Sequence, residues 1–278
     1  MKGKFMRYAF LIVLLTIFSF PAIAADKDVY DRVMKTGVIE CGYFIEPPFT
    51  MKDEATGEYS GISVELIEQI AKDLGLKVKW KEQISFATFP QDLNNNRYDM
   101  VCGSIFVMPR AGAIDYTKAY SYASMYGYVK PEDTAFDKKF KDIDWSKVTI
   151  AGLDGEGATG AAQKLLPQAR MNVLPQLSNI SEMLLTVATG KSDIGFVLPS
   201  VFDDFNKANP NKLKKASLDK PLYTYEVTFG IAREQDAFKS MINNGIRQLS
   251  TSGELASIFE KYDPKHYFDY PQINKQAN

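Results

Sequence analysis

The stretch "CGSIFVMPRAG", residues 102–112, carries an apolar run, Ile105 to Met108, that ends in a single guanidinium, Arg110. An arginine at the end of a buried strand requires an anion, because its donors and its charge lose water there. The segment holds no acid, so the partner is either brought by the fold or is a ligand. A second stretch, "DGEGATG" at 154–160, reads as a glycine-rich loop opening a helix. Backbone amides at such a start favour an anion, which singles out Gly157, Ala158 and Thr159; the alternative is a plain glycine-rich turn. The stretch lacks the Lys-Ser/Thr of a phosphate loop. Asp154 and Glu156 are the nearest thing to a carboxylate pair for hydrolysis, and solvated loop acids explain them better. Cys41 and Cys102 each precede a glycine at a strand end. Bridging adjacent parallel strands is geometrically awkward, so two small buried hydrophobes are favoured over a disulfide. His266, the one histidine, has no ligand spacing to either cysteine. Neither a metal nor a cofactor is expected. There is no nucleophile elbow and no His-based triad, so the chain is not expected to be an enzyme.

The elements that must position these residues alternate strand and helix. "GVIECGYF" (37–44) is a strand, and "PPF" breaks it. Helix 63–75 follows, with Ser63 as its cap, Val64, Leu66, Ile67, Ile70, Ala71 and Leu74 as its apolar face, and Gly75 as its stop. "LKVKW" is a strand, "FPQDLNNNRYD" holds a short helix, and "MVCGSI" is a third strand. The pattern then repeats: strand 147–153, the glycine-rich loop and helix, strand "RMNVL", helix "SEMLLTVATG", and strand "DIGFVLP" ended by Pro199. Such alternation predicts α/β units with mostly parallel sheets. "YTYEVTFGIA" (223–232) is one long strand, and two helices close the chain. The tyrosine-rich stretches 122–130 and 222–230 read as crossovers between two lobes. In open α/β sheets ligands bind beyond the carboxyl ends of strands, where Gly42, Gly103 and Ser104 lie.

The first residues, a basic "MKGKFMR", an apolar "YAFLIVLLTIFSF" and a small-residue "AIA", read as a signal peptide, residues 1–24, cleaved near Ala24. Removing Lys2, Lys4 and Arg7 leaves 30 basic against 34 acidic residues, a net charge of about −4. That balance argues against nucleic acid as a partner.

The ordered set "GYFIEPPF", "GEYSGISVELIEQIAKDLG", "NNNRYDMVCGSIFVMPR", "IDYTKAY" and "FGIAREQDAFKSMINNGIRQLSTSGELASIFEKY" resembles the family 3 extracellular solute-binding proteins, over essentially the whole mature chain. The resemblance implies a two-lobed periplasmic-binding-protein fold of type II, a periplasmic location and a monomeric receptor for an ABC importer. The lobes would be 25–125 plus 229–278, and 126–228. The solute would be a small carboxylate-bearing molecule, an amino acid or a related organic acid, passed to a membrane ABC permease. By resemblance Arg110 is the carboxylate clamp, a planar fork matched to two oxygens. Its bland alternative is a structural arginine. Phe86 and Phe49 match cleft aromatics, and each is equally compatible with ordinary core.

The chain departs from the pattern at three places. Hydroxyl positions before the arginine are Ile105 and Val107. The aspartate that pairs with a ligand ammonium is Leu198, with Asp203, Asp204 or Glu46 as substitutes. An ammonium facing leucine would lose water without a counter-charge, so a carboxylate without an ammonium is favoured. A two-lobed sensor reporting a solute to a membrane partner is the alternative to transport.

Overall fold

The computed structural model describes residues 28–85, 88–105, 108–175 and 177–272; the apolar leader and Phe86 lie outside them. In the first half, α1 (Val29–Thr36) precedes β1 (Val38–Tyr43), β2 (Met51–Lys52) and β3 (Tyr59–Ser60). Then come α2 (Ile62–Asp73), β4 (Lys77–Gln83), α3 (Phe89–Asn94), β5 (Met100–Ile105), β6 (Asp115–Tyr116) and β7 (Ser121–Val129). The second half runs β8 (Thr149–Leu153), α4 (Gly157–Leu165), β9 (Arg170–Leu174), α5 (Ile180–Ala188), β10 (Ile194–Val197), α6 (Pro199–Ala208) and β11 (Lys214–Lys215). The chain closes with β12 (Tyr223–Ile231), α7 (Asp236–Ser252), α8 (Glu254–Tyr262) and β13 (Phe268–Asp269).

The strands order as β4-β1-β5-β12-β7-β10-β8-β9. The same arrangement appears twice. β1 lies between β4 and β5, parallel to both, and β8 lies between β9 and β10, parallel to both. Each central strand is thus the first of its unit, with the second strand outside and the third inside. Two antiparallel strands join the units. Along β7, Ser121–Met125 pair with β12 and Tyr126–Tyr128 pair with β10. Along β12, Tyr223–Val227 pair with β7 while Val227–Ile231 pair with β5. Each of these strands therefore passes from one unit into the other.

α2 shows how local chemistry places an element. It begins at Ile62, and its cap is Gly61, which corrects the expected Ser63 cap. The amides of Ile62 and Ser63 donate to the carbonyls of Pro48 and Phe49 at 3.0 and 2.9 Å, so backbone does the capping. Gly61 has φ 122°, and a Cβ there would lie 2.5 Å from the Phe49 carbonyl oxygen, so only glycine fits. Ser63 is then free to turn inward; its hydroxyl meets the Tyr120 hydroxyl at 2.6 Å. At the other end Gly75 takes φ 69°, with Leu76 N–H on the Ala71 carbonyl and Gly75 N–H on that of Lys72, a Schellman close. Leu66, Ile67 and Ile70 of the apolar face are fully buried; each such side chain contributes about 1.5–3 kcal/mol.

Two further expectations are corrected. Cys41 and Cys102 form a disulfide across the neighbouring strands β1 and β5, with Cα atoms 5.5 Å apart. That separation lies within the range a bridge spans, and both residues are fully buried. Pro199 does not end a strand but opens α6. β10 stops at Val197, Leu198 is the N-cap, and Pro199 occupies the first turn, where its missing N–H has no helical partner to lose. α1 and α6 were not anticipated. Among the described residues no helix is long and apolar enough to cross a membrane.

Candidate functional site

In a unit whose central strand comes first, the loops leaving the first and third strands diverge to opposite faces and open a crevice at their carboxyl ends. The strand order puts four loops at such points: those after β1 and β5 in the first unit, and those after β8 and β10 in the second. They carry Glu46, Arg110, Glu156 and Leu198 respectively.

The loop after β1 folds back on itself. Glu46 N–H donates to the Thr50 carbonyl at 2.8 Å, and Thr50 N–H returns to the Glu46 carbonyl at 3.0 Å. This closure swings Phe49 inward, where its ring meets Phe268 at 4.8 Å and Tyr120 at 6.4 Å. Phe49 is 3 % exposed, so it is core and not a cleft wall. Beside the loop, β5 gains one residue over β12. Val101 pairs with Gly230 and Ser104 with Thr228, so three steps on one strand answer two on the other. That bulge passes through Gly103 at φ 104°, and a Cβ there would lie 3.0 Å from Thr50 Oγ1. Gly103 thus lets the end of β5 close on the β1 loop. Ser104 stands at the register position just past the bulge.

Arg110 lies in the 3-10 turn Met108–Gly112. Its carbonyl accepts the amides of Ala113 and Ile114 at 2.8 and 3.0 Å, which fixes the backbone. Its guanidinium is half-buried over Phe89, Cζ 5.3 Å from the ring centroid, and Phe89 is packed edge-on against Phe44 at 5.6 Å. The aromatic face orients the cation.

The second unit presents a different surface from the one expected. The Ala158 and Thr159 amides are not open to an anion, because the Glu156 carboxylate already caps α4. It accepts Thr159 N–H at 2.8 Å and the Thr159 hydroxyl at 3.2 Å, with the Ala158 amide beside it. Thr159 Oγ1 in turn accepts Leu153 N–H at 2.9 Å, tying the cap to the end of β8. Glu156 is therefore a structural, half-buried acid that caps its own helix, which corrects its reading as a solvated loop residue; Asp154 is exposed as expected. Burial raises the Glu156 carboxyl, while the two amides and the hydroxyl pull it back. Gly157 is exposed at the first turn of α4. Leu198 is buried at the cap of α6 and offers no charge.

Between the units stands Tyr225 of β12, 5 % exposed. Burial, then the charges of Glu46 and of Glu156, raise its phenol well above the ordinary value. Tyr120, entering β7, is likewise raised by burial, with Glu46 contributing. Burial also pushes the Glu46 carboxyl up to about 7. Tyr225 and Tyr120 were not singled out from the sequence. The signal was the alternation in "YTYEVTFGI", which puts Tyr225 on the inward face with Val227 and Phe229.

The family model described as bacterial extracellular solute-binding proteins, family 3, matches residues 39–265. The L-cystine-binding protein TcyA of Bacillus subtilis (strain 168) is 25% identical over 243 residues, covering 86% of each chain. A probable amino-acid ABC transporter-binding protein of Haemophilus influenzae is 26% identical over 254 residues, 90% of this chain and 94% of that one. Among solved structures, the ancestral amino acid-binding protein AncCDT-1, a precursor of cyclohexadienyl dehydratase, has a TM-score of 0.66 at 24% identity, covering 84% of this chain and 99% of that one. The repeated sheet unit, the two shared strands and a match over most of the chain agree: this protein belongs to the bacterial extracellular solute-binding proteins, family 3.

Proposed function

We propose that the chain is an exported receptor that captures a small carboxylate-bearing solute, an amino acid or related organic acid, between two lobes and delivers it to an ABC importer. The observation that carries this reading is the pair of shared strands, β7 and β12, each passing from one unit into the other, with crevice loops of both units at the strand ends. A ligand between those loops touches both units at once. The lobes of the proposal are 25–125 with 229–278, and 126–228, hinged where β7 and β12 change partners. Ligand contacts to both lobes favour the closed form. Arg110 receives the carboxylate, since α4 offers Glu156 and not free amides. The names of the relatives, which bind L-cystine or other amino acids, support the solute class.

The test is a thermal-shift panel of the twenty common amino acids, their deaminated 2-hydroxy acids, sugars and polyamines, followed by small-angle scattering with the best binder. A carboxylate that stabilises the protein and reduces its radius of gyration is the expected result. Stabilisation by sugars alone, or binding without compaction, overturns the proposal.

A further inference from the structure

The two crevice loops of the first unit leave from neighbouring strands, β1 and β5, and the ladder between these strands is short. Its register pairs are Cys41 with Met100 and Gly42 with Val101. Ahead of them Asp99 acts as a clamp: its amide donates to the Glu40 carbonyl at 2.8 Å, and its carboxylate accepts the Glu40 amide at 2.6 Å. Past Gly42 and Val101 both strands turn irregular toward the crevice. β4 gains one residue over β1 between Cys41 and Gly42, and β5 bulges at Gly103 against β12. The Cys41–Cys102 disulfide stands at this transition, one residue before each irregular point. It is a covalent tie at the place where the backbone ladder stops. Beyond it the strand end and the β1 loop still approach closely. A Cβ at Gly103 would lie 3.0 Å from Thr50 Oγ1 and 3.4 Å from Ser63 Oγ. Thr50 is the residue that closes the β1 loop, through its backbone bonds with Glu46.

We infer that the Cys41–Cys102 disulfide is a positioning element of the solute crevice. It fixes the spacing of the two strand ends that lead into the β1 loop and the Arg110 turn, so that opening it weakens capture of the solute while the sheet persists. This rests on the receptor reading above. The sheet has supports of its own: β1 stays paired with β4 from Val38 to Tyr43, and β5 with β12 from Met100 to Ile105. In the chain-entropy model the stabilising effect of a bridge follows its sequence separation, here 61, and not its place in the fold. Stability therefore does not account for a bridge at the crevice ends of the strands. Pre-placed loops do account for it, because a site held in its binding geometry loses less freedom when the solute arrives.

The experiment measures affinity by calorimetry, below the unfolding midpoints, for wild type, Cys41→Ala, Cys102→Ala, the double variant and Leu249→Ala. The probes are the amino acids and 2-hydroxy acids that stabilise wild type. Leu249 is fully buried in α7, which packs on α1, α2 and α8, so Leu249→Ala lowers stability and leaves the bridge intact. The two single variants and the double are expected to bind about tenfold or more weakly and all alike, because the same bond is lost in each. Leu249→Ala is expected to stay within about twofold of wild type. Wild-type affinity in the double variant overturns the inference and leaves the receptor reading standing. Losses that add between the single variants also overturn it, since they trace to side-chain packing. So does a matching loss in Leu249→Ala, which traces to stability. Where the alanine pair does not fold, Cys41→Ala with Cys102→Val refills the volume of the sulfurs and is read in the same way. No binding of any carboxylate to wild type overturns both the inference and the receptor reading.

Discussion

Tyr267 donates its hydroxyl to the Asp203 carboxylate at 2.5 Å, joining the segment after the last helix to α6 of the second unit. The segment is rigid at three other points. Asp263 accepts the amides of Tyr267 and Phe268 at 3.0 and 2.9 Å, Phe268 packs on Phe49, and β13 pairs with β7 at Ala123 and Tyr122. It therefore straps the first unit, a shared strand and α6 together.

The strap gives a first prediction. Lys265 and Tyr267 hold the Asp203 carboxyl below its ordinary value against the opposing effect of burial. A depressed carboxyl contributes stability above its unfolded value, and that contribution is lost as pH falls through the folded value. Asp203→Asn should cost about 1 kcal/mol at pH 7, small because the pair is partly exposed, and less at pH 3, below the ordinary value of 3.8. Urea unfolding at the two pH values checks this; an equal loss at both rejects the pairing as the cause.

Arg110 gives the second. Removing it leaves a ligand carboxylate desolvated without a partner, so Arg110→Ala should weaken carboxylate binding by about 2–4 kcal/mol. Stability should fall by much less, since a half-buried cation over Phe89 contributes about 0.5–1 kcal/mol. Calorimetry and thermal unfolding of the same variant separate the two; unchanged affinity makes Arg110 structural.

Glu46 gives the third. Its carboxyl is raised from an ordinary 4.5 to about 7, so the fold favours the protonated form. That favourable contribution is fully present below 4.5 and is lost as pH rises through 7. Glu46→Gln keeps the neutral shape at every pH. It should match wild type at pH 4 and exceed it at pH 8 by up to about 3 kcal/mol. Guanidinium unfolding at both values measures the difference; a variant no more stable at pH 8 shows that Glu46 carries no desolvation cost.

The disulfide gives the fourth. Cys41 and Cys102 close a loop of sequence separation 61, which in the chain-entropy model constrains the unfolded state by about 4 kcal/mol. Denaturation with and without reductant should show a loss of that order. Equal midpoints would mean that the unfolded chain gains nothing from the bridge.

The βαβ rhythm, the face of α2 and the long strands β7 and β12 were legible in the sequence, because period and punctuation are local properties. So were Gly103 and Arg110, since a glycine at a strand end and a guanidinium in a segment without an acid are visible without a fold. The disulfide was not legible: "ECG" and "VCG" do not say that β1 and β5 are neighbours. Ser63 had the local chemistry of a cap, and the carbonyls of Pro48 and Phe49 displaced it by arriving from another loop. "DGEGATG" looked open to an anion until Glu156 turned back onto its own helix. Glu46 was one acid among three until tertiary structure engaged Asp203, left Asp204 on the surface and tied the Glu46 backbone to Thr50. The sequence by itself determined which elements form and which residues bear charge. Only the tertiary structure decided which charges are already neutralised, because that depends on partners far away in the chain.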